Sequence, residues 1–221
     1  MKDQNKTIEC NNSRLIEDLN TDSSGRLDLG DEQDKKERKP GILLHSCCGP
    51  CSTSVVEQLI HDYDVTIYFY NPNITEEQEY QRRKEAQESF VSKYNLNPKR
   101  QDLLYYKEGP YDPQRFYTAV KGHEKEPEGG ERCTICFKLR LEKAAEEAML
   151  SGFDLFTTTL SVSPHKNFEL ISKIGNELSM RSGLPFLVKD FKKQNGFARS
   201  IELSKSYGLY RQNFCGCEFS K

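Results

Sequence analysis

From residue 40 onward, short apolar runs typical of buried strands alternate with longer stretches that have the 3.6-residue apolar spacing of helices. The strand-like runs are 41–45, 65–70, 101–106, 154–159 and 186–189. The helix-like stretches are 52–61, 75–94, 133–151, 164–182 and 195–207. This order predicts an α/β fold, with a parallel sheet and helices on both faces. Ligand sites in such sheets lie at the carboxyl ends of the strands.

The first 40 residues have a different pattern. They contain no aromatic residue, and eight basic side chains stand against ten acidic ones. Such a segment buries too little apolar area to offset the entropy lost on ordering. The sequence therefore predicts a disordered tail over residues 1–40, in which Cys10 is an uninvolved thiol, and a single catalytic domain over residues 41–221.

The composition is notable for its number of cysteines. The chain has eight cysteines in 221 residues and a formal net charge of -2, which neither requires nor excludes a nucleic-acid partner. No stretch approaches the roughly 20 apolar residues needed to cross a bilayer, and the N-terminus lacks the apolar core of a secretory signal. We therefore expect a cytoplasmic protein without a membrane partner. Cytosolic thiols stay reduced unless they are catalytic or bound to metal.

The strongest motif is His45-Ser46-Cys47-Cys48-Gly49-Pro50-Cys51, which follows the first strand directly. Gly49 and Pro50 indicate a tight turn, and the amides at the start of the next helix would stabilise thiolates there. Adjacent cysteines rarely pair with each other, but they can ligate one cluster, or a cluster and a neighbouring metal. The turn is therefore a candidate metal site.

A second group, Cys133 and Cys136, opens a predicted helix. Thiols at i and i+3 face the same way, but this spacing alone fits zinc, iron–sulfur or a redox dithiol. Combined with the first group it supplies four or five thiolates, enough for tetrahedral zinc or a cubane cluster.

The third group is Cys215-Gly216-Cys217, near the end of the chain. A disulfide across one residue closes a small strained ring, and strained disulfides tend to be labile or catalytic. This argument favours a redox pair, although two further metal ligands remain the alternative.

Seven basic and three acidic residues lie over 189–221, interleaved with aromatic ones. That composition suits a nucleic-acid partner, and it equally suits a solvated face beside core aromatics.

Together these motifs resemble the cobalamin-independent epoxyqueuosine reductases of the QueH type. The resemblance covers about residues 41–221. Its matching segments are 45–51, 71–74, 127–133, 157–161, 190–193 and 210–217. It implies a doubly wound fold similar to the nucleotide alpha-hydrolase (HUP or PP-loop-like) group.

The resemblance also implies an activity and a set of sites. The reaction is the two-electron removal of the epoxide oxygen from epoxyqueuosine at the wobble position of tRNA, which gives queuosine and completes this tRNA modification. In this chain Cys47, Cys48, Cys133 and Cys136 would ligate a 4Fe-4S cluster, and Cys215 and Cys217 would form a redox-active disulfide. Cys51 would belong to an additional mononuclear metal. A non-cysteine ligand to the cluster, such as an aspartate, would leave one of the four listed thiols free. An external ferredoxin- or flavodoxin-like protein would donate electrons.

Two other functions stay open at this point. One is a 4Fe-4S-dependent tRNA sulfur-transfer enzyme on a similar fold; the other is a zinc-stabilised RNA-binding module without enzymatic activity. The first turn argues against the former, because Cys47-Cys48-Gly49-Pro50 stands where an ATP-activating enzyme of that group has Ser-Gly-Gly. Tyr111, Asp112 and Asp190 are candidates for protonating the leaving oxygen.

Overall fold

The computed structural model of the protein describes residues 38–220. Its sheet has four parallel strands in the order β3-β2-β1-β4. In chain order they are β1 (Gly41–Ser46), β2 (Asp64–Phe69), β3 (Tyr105–Glu108) and β4 (Leu155–Thr158). The predicted parallel α/β sheet is therefore confirmed.

Six helices accompany this sheet in the described part of the chain. They are α1 (Gly49–Leu59), α2 (Glu77–Asn95), α3 (Pro113–Ala119), α4 (Glu131–Leu150), α5 (Phe168–Ser182) and α6 (Gly196–Ser206). A short 3-10 helix, Thr159–Val162, follows β4 directly, and a second one is formed by Glu218–Ser220.

Both faces of the sheet are covered, because alternate residues of a strand point to opposite sides. In β1, Ile42 and Leu44 pack with Val55 of α1 and Phe90 of α2. Leu43, between them, packs on the other face against Leu141 of α4 in a second apolar cluster. The continuous apolar run of β1 is thus buried on both sides, which is the pattern of a central parallel strand.

Several predicted boundaries were wrong for local reasons. The run 186–189 forms only one bridge, between Phe186 and Phe156, rather than a strand. Helix α5 begins at Phe168 rather than near 164, because the Asn167 side chain accepts from the Leu170 N–H and caps the helix there. Helix α3 was missed; the Asp112 carboxylate caps it by accepting from the Arg115 N–H.

The predicted tail lies mostly outside the described residues, and Cys10 with it. Lys39, assigned to that tail, is described: its ammonium donates to the Ile60 carbonyl at 2.9 Å and pairs with Asp102 at 2.7 Å. Over residues 38–220, no helix is both long and apolar enough to cross a bilayer.

Candidate metal and redox site

Strands β1 and β4 are neighbours and end beside each other at the carboxyl edge of the sheet. His45 of β1 lies in register with Thr158, the last residue of β4. The chain leads from β1 to β2 and β3 on one side of the sheet, and then crosses from β3 to β4 on the other side of β1. The ends of β1 and β4 therefore border the topological switch point, where α/β proteins bind ligands. Cys47 follows β1, and its N–H donates to Thr159 Oγ1 at 3.4 Å. The first cysteine group therefore occupies the predicted place in the fold.

Buried polar side chains fix the turn that carries these thiols. The hydroxyls of Ser46 and Ser52 lie 2.6 Å from each other and 2.8 Å from Gln87 Oε1. Cys48 is the N-cap residue of α1, yet its side chain makes no capping hydrogen bond, so its sulfur stays available for another partner. Gly49 is required by packing, because a Cβ there would lie 2.7 Å from the Ala86 carbonyl oxygen of α2.

Three thiols converge at this turn. The Sγ atoms of Cys47, Cys48 and Cys51 all lie within 4.8 Å of one another, and those of Cys47 and Cys48 are 3.8 Å apart. Cys48 is fully buried, Cys47 nearly so, and Cys51 partly exposed. Convergent soft sulfur ligands of this kind select zinc, copper(I) or iron–sulfur centres over hard cations. The donor set therefore fits a thiophilic metal centre.

The surroundings of the three thiols favour one thiolate among them. Hydrogen bonds from the Cys48 and Cys51 thiols hold the pKa of Cys47 well below its usual range, and the charges of Lys166 and Arg140 act in the same direction. The same hydrogen bond to Cys47 raises the pKa of Cys48, to about 11, and the pKa of Cys51 is raised likewise. Cys47 is thus the thiolate most readily offered to a metal or an electrophile.

His45 lies beneath the turn as a neutral, structural residue. Burial, helped by the charge of Arg140, lowers its pKa to about 3. Its Nε2 lies 3.1 Å from the Tyr70 carbonyl oxygen, an obligate acceptor, so Nε2 carries the proton and donates. Nδ1 then accepts from Thr158 Oγ1 at 2.8 Å. With both nitrogens occupied, His45 ties β1 to β4 and to the chain after β2.

The second cysteine pair lines a neighbouring cavity. Cys133 and Cys136, in the first turns of α4, border a space of about 80 Å³ together with Cys215 and Cys217. Burial raises the pKa of Cys136 to about 11, and the Gly129 N–H donates to Cys133 Sγ at 3.2 Å. Within residues 38–220, no group of three mutually close ligand atoms includes Cys133 or Cys136. The four-thiol set of Cys47, Cys48, Cys133 and Cys136 stays a prediction.

The third pair, Cys215 and Cys217, is present as two free thiols. A hydrogen bond from Cys217 lowers the pKa of Cys215 to about 5, and the Ser220 hydroxyl, 3.1 Å from Cys215 Sγ, acts in the same direction. The pKa of Cys217 is raised by the same hydrogen bond. One sulfur is therefore a nucleophilic thiolate and its neighbour a thiol, the combination that thiol–disulfide exchange requires.

A larger cavity, of about 340 Å³, lies between the first and third cysteine groups. Cys47 and Cys51 line it on one side and Cys215 on another. Five residues border both this cavity and the smaller one: Glu128, Arg140, His165, Lys166 and Cys215. Thiols from three distant segments of the chain thus surround two adjoining cavities at the sheet edge.

Sequence reasoning missed the arginines of this site. Arg140 of α4 is buried, donates from Nη2 to Asn71 Oδ1 at 2.7 Å, and borders both cavities. Arg83 of α2 is buried beside Cys215. No local signal marks either one, because a single arginine in an amphipathic helix has the pattern of a solvated face.

Fold and site together define a doubly wound α/β protein with a cluster of thiols at its switch point that could bind a metal ion. A family model described as "Epoxyqueuosine reductase QueH" matches residues 42–221. Proteins of that name from Streptococcus pyogenes serotype M1 and Staphylococcus epidermidis are similar to this chain. The first is 42% identical over 85% of this chain and 72% of the relative, and the second 44% identical over 82% and 76%. The chain belongs to the epoxyqueuosine reductase QueH family.

The match to a third, less similar relative spans most of that relative's length. The protein of the same name from Thermotoga maritima is 37% identical over 81% of this chain and 89% of that relative. The matched region begins at residue 42, so it contains all three cysteine groups and excludes Cys10.

Proposed function

We propose that this protein is an oxidoreductase that removes the epoxide oxygen of epoxyqueuosine in tRNA and so produces queuosine. The observation that carries this proposal is the family match over residues 42–221, within which thiols from three segments surround two adjoining cavities. Residues 41–221 are the catalytic domain in this proposal.

The lining of the larger cavity supports a nucleotide substrate. Lys166 and Arg211 supply positive charge, while Phe197 and Phe214 offer aromatic faces. Cations beside aromatic rings suit the phosphates and the splayed bases of a single-stranded RNA loop. We infer that the wobble nucleotide enters this cavity and places its epoxide between the Cys47 and Cys215 sides.

The cofactor would be held by the thiols at the sheet edge. In this proposal Cys47 and Cys48 would be its central ligands, Cys133 and Cys136 would complete a four-thiol set, and Cys51 would bind an accessory metal. A 4Fe-4S cluster held there would supply single electrons and a Lewis-acidic iron. The remaining tasks fall to side chains of this chain: binding the nucleotide, holding the epoxide oxygen, and supplying protons.

The dithiol supplies the electrons of the reaction. Converting an epoxide to an alkene and water consumes two electrons and two protons. Oxidation of the Cys215 thiolate and the Cys217 thiol to a disulfide releases two electrons and one proton, and the second proton comes from solvent. The low pKa of Cys215, about 5, keeps its sulfur in the reactive thiolate form at neutral pH. An external ferredoxin- or flavodoxin-like donor would then reduce the disulfide for the next turnover.

The group that assists the epoxide oxygen is found among the cavity residues. Tyr111 donates to the Thr75 carbonyl, Asp112 caps α3, and the Asp190 carboxylate accepts from the Lys192 N–H. None of these three lines either cavity, so the earlier candidates are unsuited to the role. Lys166 borders both cavities, and its charge lowers the pKa of Cys47 and of Cys215. We assign to Lys166 the hydrogen bond to the leaving oxygen.

Replacing Lys166 by methionine is expected to lower kcat about 100-fold, the usual cost of removing one donor to a developing oxyanion. Lys166→Arg keeps the positive charge and should recover part of the loss. Single-turnover rates on modified tRNA measure the effect, with iron content determined in parallel. Lys173→Met, on the exposed side of α5, is the matched control. A Lys166→Met protein with wild-type iron and more than half the wild-type kcat would contradict the assignment.

The proposed function itself is tested by product analysis. Protein purified anaerobically and supplied with iron, sulfide and a reductant is incubated with tRNA from cells that accumulate epoxyqueuosine. Mass spectrometry of the digested nucleosides should reveal loss of one oxygen atom from the modified base. Iron-loaded protein that leaves the epoxide intact, or that instead adds sulfur to the tRNA, would overturn the proposal.

A further inference from the structure

An ion pair buried in α2 lies beside the C-terminal dithiol and has no role in the chemistry described so far. Arg83 and Glu79 are one helical turn apart, 1% and 2% exposed, and the Arg83 Nε donates to Glu79 Oε1 at 2.6 Å. Burying two charges is costly, and a buried pair is weak support for a role in stability alone. The other hydrogen bonds of these two side chains therefore indicate the role of the pair.

The rest of the Arg83 guanidinium is committed to the backbone beside Cys215. Its Nη1 donates to the Cys215 carbonyl at 3.0 Å, and its Nη2 donates to the Phe214 carbonyl at 3.1 Å. The guanidinium carbon also lies 5.1 Å from the centre of the Phe214 ring. Asn73 Nδ2 gives the Cys215 carbonyl a second donor, at 3.3 Å. Two consecutive carbonyls are thus held by one rigid, planar cation.

The carboxylate of the pair holds the chain a few residues earlier. The Tyr210 hydroxyl donates to Glu79 Oε2 at 2.8 Å. Glu79 and Arg83 therefore fix both ends of the approach to the dithiol, Glu79 at Tyr210 and Arg83 at Phe214 and Cys215. Because both anchors belong to one helix, the spacing between them is rigid.

Gly216 allows the turn between the two cysteines to pack closely against Arg83. It is buried and has φ of 101°, a backbone conformation that favours glycine. A Cβ at this position would lie 2.9 Å from Ile74 Cγ1 and 3.1 Å from Arg83 Nη1. The glycine between the two cysteines is thus explained by contact with the arginine as well as by its φ.

We propose that Arg83, oriented by Glu79, is a positioning residue that holds Cys215 and Cys217 in the geometry from which their disulfide closes. This inference rests on the proposed redox role of the dithiol. Fixing the two carbonyls restricts the conformations of the turn that carries both sulfurs, and both cysteines border the same cavity of about 80 Å³. A preorganised pair reacts at a higher effective concentration than a mobile one.

The test uses Arg83→Lys, which keeps a cation beside Glu79 but removes the fork that binds two carbonyls. Full-length protein is equilibrated anaerobically with mixtures of reduced and oxidised dithiothreitol. Free thiols are then trapped by alkylation, and the mass of the C-terminal peptide is determined by mass spectrometry. We expect the equilibrium constant for the Cys215–Cys217 disulfide to fall about tenfold, as for loss of one charge-assisted hydrogen bond. The kcat of the variant should fall in parallel with this constant.

Arg82→Lys is the matched control, because Arg82 neighbours Arg83 and is 3.9 Å from Glu79, yet its side chain is 57% exposed. It should leave the constant unchanged. If Arg83→Lys does not fold, Glu79→Gln keeps the arginine and should shift the constant in the same direction by a smaller factor. A folded Arg83→Lys protein with the wild-type constant would overturn the positioning role alone. Absence of the disulfide in the wild type would overturn the positioning role and the redox role together.

Discussion

Replacing Cys215 by serine is expected to abolish turnover while leaving bound iron and its visible absorbance at the wild-type level. Cys215 is the thiolate of the dithiol, because the Cys217 hydrogen bond lowers its pKa to about 5. A serine hydroxyl can neither form a disulfide nor release the two electrons that the epoxide requires. We expect kcat to fall by at least about 1,000-fold, comparable with loss of a catalytic nucleophile. Single-turnover assays on epoxyqueuosine-containing tRNA measure the loss.

The control for this experiment is Cys10→Ser, because Cys10 lies outside the matched region 42–221. It should retain full activity and iron. Cys217→Ser should match Cys215→Ser in turnover, since either substitution removes the disulfide. Iron lost together with activity in both variants would make the pair metal ligands rather than a redox dithiol. Unchanged turnover would exclude the dithiol from the reaction.

Serine at Cys47 or Cys48 is expected to remove the metal centre itself, and activity with it. Their sulfurs are 3.8 Å apart and buried at the centre of the thiol group, so loss of either removes a central ligand of the proposed four-thiol set. We expect visible absorbance and bound iron to fall to near background after anaerobic reconstitution. Chelation of iron from the wild type should cause the same loss of activity.

Parallel variants of the remaining thiols determine the full ligand set. Cys133→Ser and Cys136→Ser should lose the cluster absorbance as Cys47→Ser does, if four thiols hold it. Cys51→Ser should keep that absorbance and lose only the additional iron. Full iron and sulfide in both α4 variants, with loss in Cys51→Ser, would instead make Cys47, Cys48 and Cys51 the complete thiol set.

Much of the fold was predictable from local pattern. β1 was recognised because its run of apolar residues, Ile42 to Leu44, is buried on both faces. The run 186–189 has a similar pattern but forms only a bridge at Phe186. Whether an apolar run becomes a strand depends on the partner backbone available to it, and periodicity does not report that. Helix α3 was not predicted because its seven residues form only about two turns, too few to show the 3.6-residue apolar spacing of a helix.

The candidate site was predictable where its chemistry is carried by rare residue types. Cysteines grouped at a strand end mark a metal or redox site even before the fold is known, and Cys47 and Cys48 lie where that reasoning placed them. Arg83, Arg140 and Lys166 were missed because charged residues are common on helices and loops. Their importance comes from burial or from a shared cavity wall, neither of which the sequence displays.

Most of the order of strands and helices, the family, and the thiols available for chemistry could be inferred from the sequence alone, because these follow from local periodicity and from residue types with distinctive chemistry. Only the tertiary structure decided which thiols lie together: Cys47, Cys48 and Cys51 within 4.8 Å, with Cys133, Cys136, Cys215 and Cys217 around the adjoining cavity. It also placed the Arg83–Glu79 pair against the dithiol. The contacts of Arg83 with Cys215 and of Glu79 with Tyr210 join segments more than 100 residues apart, and no local pattern encodes them.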